Sequence, residues 1–358
     1  KLTALRAKLE LATFPDELED AGWKYGSPLA DMKRLTKRWR TEYDWRKHEK
    51  EINEELPMFT RDIDVDGFGA LNIHYVHKKS KSVDAIPLLF CHGWPGSFLE
   101  VGKILPLLTA SAPEHPSFHV VALSLPGFGF SEAPRKQGFG MNQYVEVAHK
   151  LMIALGYNEY GTGGDWGGLV MLNHRAGNRP LSFLSFLLTP WTIEEKAGIE
   201  RTKWFRTNGY GYFTQQSTQP QTLALLALLG WIYEKLVLWT DNYNWSDDEV
   251  LMWISLYWFS RAGPAASLRI YFELRGDCED LGRSPTIPMG ASFFPKELIV
   301  LPAAWLRMSN NVVFEFHHKT GGHFAATERP EELVRDVQKM FAKGSPAFAI
   351  VPGRTGYA

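Results

Sequence analysis

The pattern of apolar and polar residues changes near residue 60. Residues 1–59 alternate charged and apolar side chains at helical spacing, which predicts helices that pack one face against a larger body. From 63 to 76 the apolar side chains instead recur at every second position, on either side of Asp66 and Gly67. This alternation predicts a β-hairpin with its turn at that dipeptide. His74 is near the end of the hairpin, where we expect it to be exposed.

Later apolar runs are short and continuous, as in strands that are buried on both faces of a sheet. These strand-like runs lie at 86–91, 119–125, 181–188, 287–294 and 312–317. Helical periodicity at 141–155, and again after Pro330 as far as Phe341, separates or follows them. Strands that alternate with helices predict an α/β fold, with a mostly parallel sheet and helices on both of its faces.

The strand pattern stops between Trp191 and about residue 285, where Trp, Tyr, Leu and Phe recur at helical spacing. We interpret this region as a helical lid inserted into the sheet domain. The predicted organisation therefore has five parts. They are an N-terminal helical meander (1–60), a first core segment (61–190), the lid (191–285), a second core segment (286–345) and a surface-bound tail (346–358).

Composition and charge exclude several classes of protein. The 358 residues are 45% hydrophobic and 13% aromatic, which rules out disorder over most of the length. Lys plus Arg total 39 and Asp plus Glu total 40, so no charge excess favours nucleic acid. The two cysteines, Cys91 and Cys278, cannot form a disulfide framework.

The longest apolar stretch, 223–232, is shorter than the about 20 residues that a membrane span needs. We therefore expect a soluble, cytoplasmic protein. The sequence begins at Lys1 without Met, so membrane association through a removed N-terminal segment stays open. The oligomeric state also stays open, a homodimer included.

The residues Gly163-Gly164-Asp165-Trp166-Gly167 have the pattern of a nucleophile elbow, a sharp turn between a strand and a helix. Glycines allow the tight turn and the close approach of neighbouring backbone. The usual nucleophile at the centre is Ser, and here it is Asp165. A carboxylate attacks an alkyl carbon and leaves an alkyl ester, so the expected electrophile is an sp³ carbon with a strained or good leaving group. A plain tight turn is the alternative.

A second loop, His92-Gly93-Trp94-Pro95, follows the buried run 86–91. A loop in this place can direct a backbone N–H at a developing oxyanion, and the residue after the nucleophile supplies another. The backbone N–H groups of Trp94 and Trp166 are therefore the predicted oxyanion donors. Without the elbow downstream, the loop would be read equally well as an ordinary strand-to-helix turn.

The expected base is His323, in a glycine-containing loop between the last strand and the last helix, after the nucleophile and the acid in chain order. The expected acid is Glu297, which follows the penultimate strand and would hold the imidazole in one tautomer. Asp277 and Asp280 are the alternatives for that role. A metal site formed by His317, His318 and His323 is a weaker alternative, because no carboxylate helix motif accompanies them.

With these motifs, the chain resembles the epoxide hydrolases of the α/β-hydrolase fold, specifically the microsomal type and its soluble fungal relatives. The resemblance covers nearly the whole chain. The matching segments are 43–46 and 56–60 of the N-terminal meander, the oxyanion loop 92–97, the nucleophile turn 164–167, the acid segment 293–298 and the histidine loop 321–326.

The resemblance also implies two lid tyrosines that donate hydrogen bonds to an epoxide oxygen. Tyr212 and Tyr271 stand where that family has them, and Tyr210 and Tyr257 are their nearest rivals among the 13 tyrosines. A phenol with a pKa of about 10 is protonated at neutral pH and can release its proton to an alkoxide. Most lid tyrosines serve only in packing, so the assignment depends on the resemblance.

The implied reaction is hydrolysis of a small apolar epoxide to a vicinal diol. It proceeds through a covalent ester on Asp165, which water activated by His323 and Glu297 hydrolyses. No metal or organic cofactor is expected. The substrate-lining candidates are aromatic, as expected of a largely dry pocket. They are Trp94, Phe128, Trp166, Trp191 and Phe324.

Two other functions fit parts of the same pattern. A haloalkane dehalogenase shares the Asp nucleophile and uses indole N–H donors, but a departing halide needs no proton from a tyrosine. A hydrolase-like binding protein without activity would show a broken triad, whereas Asp165, Glu297 and His323 form a complete set. A Ser esterase fits less well than either of these, because the elbow offers no Ser.

Overall fold

The computed structural model of the protein describes residues 1–164, 192–218, 228–273 and 286–357. Asp165, Trp166 and Trp191 lie outside the described residues. So do the strand predicted at 181–188, the alternative acids Asp277 and Asp280, and Cys278.

The larger sheet has the strand order β1-β2-β4-β3-β5. Its strands are β1 (Met58–Val65), β2 (Gly69–Lys78), β3 (Ile86–Cys91), β4 (Phe118–Leu123) and β5 (Gly161–Gly164). The predicted hairpin is confirmed, since β1 and β2 pair antiparallel on either side of the turn. β2 also pairs antiparallel with β4, whereas β3 pairs parallel with both β4 and β5. A second, parallel pair joins β6 (Met289–Phe293) to β7 (Val312–His317).

The side chains of β3 and β4 are nearly all apolar because both faces of these strands are covered. The exception is His119 of β4, whose Nδ1 accepts a backbone hydrogen bond. Every residue of both strands is buried. Successive side chains point to opposite faces, so Leu89 and Val121 join one hydrophobic cluster, whereas Leu88 and Val120 join the other. A polar residue in either strand would therefore be buried in one of two apolar layers.

The expectation for His74 was wrong. Its β2 lies between β1 and β4 and is not at an edge of the sheet, so the side chain is only 3% exposed. Its Nδ1 lies 2.9 Å from the Ser124 hydroxyl. Burial lowers the pKa of His74 to about 4, which keeps the ring neutral.

Helices flank the sheets and predominate among the described residues between β5 and β6. Before β5 they are α1 (Leu2–Glu10), α2 (Leu29–Thr41), α3 (Trp45–Glu55), α4 (Val101–Thr109) and α5 (Met141–Ala154). The described lid residues form α6 (Ile193–Asn208), α7 (Gly211–Thr218), α8 (Leu228–Leu238), α9 (Asp247–Phe259) and α10 (Arg269–Glu273). After β6 come α11 (Ala303–Ser309), α12 (Ala325–Glu328) and α13 (Pro330–Met340).

The lid helices have clear start signals in the sequence. Ser246 begins α9 with a capping box, in which its hydroxyl accepts from the Glu249 N–H and Glu249 accepts from the Ser246 N–H. Thr192 and Glu195 form the same arrangement at the start of α6. These caps fix where the lid helices begin, and so fix which residues face the core.

The N-terminal helices pack on the lid. The Arg38 guanidinium of α2 donates two hydrogen bonds to the Asp248 carboxylate of α9, at 2.8 and 3.0 Å. Two turns further along α9, the Trp39 indole N–H donates to the buried Ser255 hydroxyl at 3.0 Å. Two adjacent residues of α2 therefore hold α9 through directional contacts.

The C-terminal tail packs against the start of β4. The Ser117 N–H donates to the Gly356 carbonyl at 2.7 Å, and Ala347 and Tyr357 are buried. Among the described residues, no helix is both long and apolar enough to cross a membrane.

Candidate active site

The loops that follow β6 and β7 bring His323 and Glu297 together. The Nδ1 of His323 lies 2.8 Å from Oε1 of Glu297. The side chains are only 6% and 19% exposed, so water screens the pair weakly. A carboxylate in this place favours Nδ1–H and leaves Nε2 as the basic nitrogen.

Competing influences set the charge of Glu297. Burial would raise its pKa. The positive charge of His323, the hydrogen bond from His323, the Leu298 N–H and the charge of Arg201 together lower the pKa below its ordinary value. The Leu298 N–H donates to the same Oε1 at 2.6 Å. Glu297 is therefore ionised at neutral pH and can stabilise an imidazolium.

The backbone at Gly321 and Gly322 allows His323 to approach the lid. Gly321 adopts φ +106°, a conformation that L side chains rarely adopt. A Cβ on Gly322 would lie 2.3 Å from the Trp239 carbonyl, which excludes any larger residue. That carbonyl accepts the His323 N–H at 2.8 Å. The histidine loop is thus bonded directly to the segment that follows lid helix α8.

A buried carboxylate, Glu328, reinforces this junction. Its Oε2 accepts from the Gly322 N–H at 3.0 Å, and its Oε1 accepts from the Asp241 N–H at 2.8 Å. Burial raises the pKa of Glu328 to about 6, despite these two hydrogen bonds, which favour the ionised form. Glu328 therefore bridges the histidine loop and the lid.

The loop after β3 is held in place by His92, which is fully buried. Its Nε2 accepts from the Leu125 N–H at 3.2 Å, and its Nδ1 lies 3.0 Å from the Gly93 carbonyl. Burial lowers the pKa of His92 to about 4, so the ring is neutral with its proton on Nδ1. This side chain fixes the backbone around Trp94, the predicted oxyanion donor.

The same loop is contacted from the lid by Tyr257, whose hydroxyl donates to the Gly96 carbonyl at 2.7 Å. A Cβ on Gly96 would lie 2.6 Å from the Gly93 carbonyl oxygen, a backbone atom, so Gly is required there. Tyr257, a rival for the acid role, is therefore engaged with the loop backbone. The other rival, Tyr210, is 37% exposed and stacks on Phe213.

The two predicted lid tyrosines lie close together over Trp94. The Tyr212 ring stacks on Trp94 at a centroid distance of 5.4 Å, with planes 3° apart. The Tyr271 ring meets Trp94 edge-on at 5.7 Å and Tyr212 edge-on at 5.8 Å. Three aromatic rings from three parts of the chain thus form one contact group.

Trp239 links the tyrosines to the histidine. Its ring lies 5.0 Å from that of Tyr212 and 5.1 Å from that of His323, edge-on in both cases. The structure therefore brings five predicted site residues into one neighbourhood, which are Trp94, Tyr212, Tyr271, Glu297 and His323. Asp165 and Trp166 are the predicted members outside the described residues.

Two of the remaining lining candidates are described and fully buried. The Phe128 ring lies 5.0 Å from His92, at the oxyanion loop. The Phe324 ring packs between Trp239 and Trp253, at 6.5 and 5.6 Å, next to His323. Trp191 lies outside the described residues.

The sequence-based prediction missed Trp239, Lys235 and Glu328. The signal for Glu328 was its place five residues after His323, at the end of the short helix α12 that follows the loop assigned to the base. Trp239 and Lys235 carried no signal, since the lid is rich in aromatic residues throughout and their contacts come from distant segments.

The histidines considered for a metal have separate partners. His318 pairs with Asp336 at 2.6 Å, and His317 stacks on Phe293 at 4.4 Å. In the ranges that the structure covers, no group of three or more His, Cys, Asp or Glu side chains is arranged to hold a metal ion.

Comparisons with known proteins agree in one family. Residues 1–101 match the family model described as epoxide hydrolase N terminus, and residues 86–174 match that of the alpha/beta hydrolase fold. Epoxide hydrolase 1 of Sus scrofa is 31% identical, over 95% of this chain and 86% of its own length.

Two solved structures are similar along almost their whole length. The epoxide hydrolase of Aspergillus niger is 31% identical with a TM-score of 0.81, over 94% of this chain and 92% of its own. Juvenile hormone epoxide hydrolase from Bombyx mori is 27% identical with a TM-score of 0.84, over 94% of this chain and 90% of its own. The predicted fold class is thereby confirmed, and the chain belongs to the epoxide hydrolases of the α/β-hydrolase fold, in the group that has this N-terminal region.

Proposed function

We propose that the enzyme opens a small apolar epoxide through a covalent ester on Asp165. A carboxylate oxygen of Asp165 attacks one ring carbon, and the bond from that carbon to the epoxide oxygen breaks. Tyr212 and Tyr271 hydrogen-bond to the oxygen, and one phenol transfers its proton to the developing alkoxide. The result is a β-hydroxyalkyl ester and a tyrosinate.

In the second step His323 acts on water. Its Nε2 takes a proton as the water oxygen attacks the ester carbonyl, and Glu297 stabilises the imidazolium. The backbone N–H groups of Trp94 and Trp166 hold the oxyanion. As the tetrahedral intermediate collapses, the bond to the substrate oxygen breaks, and that oxygen takes the proton from His323 and leaves as the diol. The Asp165 carboxyl then gives its proton to the tyrosinate, which restores the starting enzyme.

The observation that carries this proposal is the junction at Trp239, which touches both the Tyr212 ring and the His323 ring. Tyr212, which would donate a proton during ring opening, and His323, which would activate water for ester hydrolysis, therefore contact the same tryptophan. Tyr212 and His323 are 8% and 7% exposed and are surrounded by aromatic rings, which favours an apolar substrate.

We infer that the predicted five-part organisation serves catalysis, because different segments provide different parts of the active site. The lid provides the two tyrosines, and the second core segment provides Glu297 and His323. The N-terminal meander holds the lid through Arg38 and Trp39. Both steps of the reaction therefore require the lid and the core to stay in contact.

The covalent route predicts the origin of the first oxygen atom in the product. In a single turnover of excess enzyme in heavy-oxygen water, the diol should contain an unlabelled oxygen that came from Asp165. Mass spectrometry of the diol, and then of the tryptic peptide with residue 165, reads the result. Heavy oxygen in that first diol would mean direct attack by water and would contradict the proposal.

Tyr212→Phe should slow ring opening by about 10² -fold or more, because one of the two proton donors is lost. Hydrolysis of the ester should change little, since Tyr212 has no part in it. Rapid-mixing kinetics measure the rates of ring opening and of ester hydrolysis separately. Tyr210→Phe is the matched control, because Tyr210 is near in the chain but partly exposed, and it should behave as the wild type. A Tyr212 variant that slows only ester hydrolysis would refute the role.

A further inference from the structure

Lys235 of α8 is a lysine buried among aromatic rings. The residue is 3% exposed. Its ammonium lies 4.6 Å from the ring centre of Trp231, 5.8 Å from that of Trp239 and 5.8 Å from that of Tyr212. Its ion-pair partner is the adjacent Glu234, whose side chain is 27% exposed.

This position is unfavourable for a residue that only fills space. Lysine is almost never fully buried unless it is paired, because removing an ammonium from water costs several kcal/mol. Cation–π contacts and Glu234 offset that cost. An unbranched apolar side chain such as Met would fill the same volume without it. A role for the charge itself accounts for the arrangement better than packing does.

The charge of Lys235 acts on a ring that becomes negative during the reaction. When Tyr212 gives its proton to the epoxide oxygen, negative charge develops on the phenol and spreads into the ring. A cation near 6 Å stabilises that charge, and the effect is large because the surroundings exclude water. The neutral phenol gains much less, so the interaction favours the transition state over the ground state.

We propose that Lys235 is a positioning residue for the acid Tyr212: its buried positive charge stabilises the phenolate that forms as the epoxide ring opens. It acts through the Tyr212 ring. The inference rests on the role proposed above for Tyr212 and adds the group that makes this tyrosine a strong enough acid.

The described neighbours of Tyr212 come from several segments of the chain. They are Phe205 of α6, Phe213 of α7, Lys235 and Trp239 of the α8 region, Tyr271 of α10 and Trp94 of the core loop. Within this set, Lys235 and Tyr271 are the ionisable members. Lys235 itself is faced by Glu234 and the three rings. Lys235 is the basic group in this set.

Lys235→Met should slow single-turnover ring opening about tenfold and leave the rate of ester hydrolysis unchanged. In the pH–rate profile of ring opening, the alkaline limb should move to higher pH by about one unit, because a weaker acid loses its proton at higher pH. Lys235→Arg retains the charge and should restore both the rate and the limb. Two other results are informative: Lys235→Met slows ring opening and ester hydrolysis equally and leaves the alkaline limb in place, or Lys235→Arg is as slow as Lys235→Met. Either result would mean that Lys235 only packs, and would overturn the inference.

A double variant separates this inference from the proposed function. If Lys235 acts through Tyr212, adding Lys235→Met to Tyr212→Phe should cause no further slowing of ring opening. Should the full tenfold effect persist in that background, the role of Lys235 is refuted while that of Tyr212 stands. Should Tyr212→Phe alone leave ring opening unchanged, the proposed role of Tyr212 fails first.

Glu234→Gln tests the same charge if Lys235→Met does not fold. Removal of the partner carboxylate leaves Lys235 uncompensated, so the alkaline limb of ring opening should move to lower pH, opposite to the Lys235→Met shift. Circular dichroism and thermal unfolding verify the fold of each variant. A folded Glu234→Gln enzyme with an unmoved limb would overturn the inference.

Discussion

The His323→Gln variant is expected to form the alkyl-enzyme and then to stop. In the proposed mechanism, ring opening needs Asp165 and the tyrosines, whereas ester hydrolysis needs a base for water. Steady-state turnover should fall by about 10³-fold or more. A substrate-sized adduct should persist on acid-quenched protein, as read by mass spectrometry.

His317→Gln is the matched control, because His317 is an exposed neighbour that stacks on Phe293. It should show wild-type turnover and no lasting adduct. Normal turnover in His323→Gln would remove His323 from the mechanism. Loss of turnover without any adduct would assign His323 to ring opening instead.

Asp165→Asn should abolish ring opening, because an amide oxygen is a far weaker nucleophile than a carboxylate. We expect activity to fall by about 10⁴-fold or more, with no adduct in single turnover. Slow conversion of the amide back to Asp can restore traces of activity.

Peptide mass spectrometry of residue 165 before and after the assay distinguishes that recovery from true residual activity. Glu273→Gln, at the end of α10, serves as a control for changing a carboxylate outside the reacting groups. Diol formation at the wild-type rate by the pure Asn protein would eliminate the covalent route.

Strands and loops of the core were predictable because burial on both faces leaves a simple pattern. The run at Ile86–Cys91 was placed to the residue, since any polar side chain in it would enter an apolar layer. His323 and Glu297 could be assigned because each follows a predicted strand, and parallel neighbours end at the same edge. Their roles remain predictions, but their 2.8 Å contact was anticipated.

Contacts within the lid could not be predicted in the same way. Trp239 and His323 are far apart in sequence. Neither periodicity nor spacing indicates that the His323 N–H donates a hydrogen bond to the Trp239 carbonyl. Aromatic residues recur throughout the lid, so those at the site and those that only pack look alike in the sequence. His74 shows the opposite error, because the pattern of a single hairpin did not reveal that β4 pairs with its second strand.

The bridge made by Glu328 has a consequence for how molecules reach the active site. Glu328 and the Trp239 carbonyl tie the segment after α8 to the backbone that carries His323. Swinging this side of the lid outward would break those bonds and displace His323, the proposed general base. Entry of the epoxide and exit of the diol must therefore take another route, and a tunnel or gate on that route can widen while the hydrolytic machinery stays assembled.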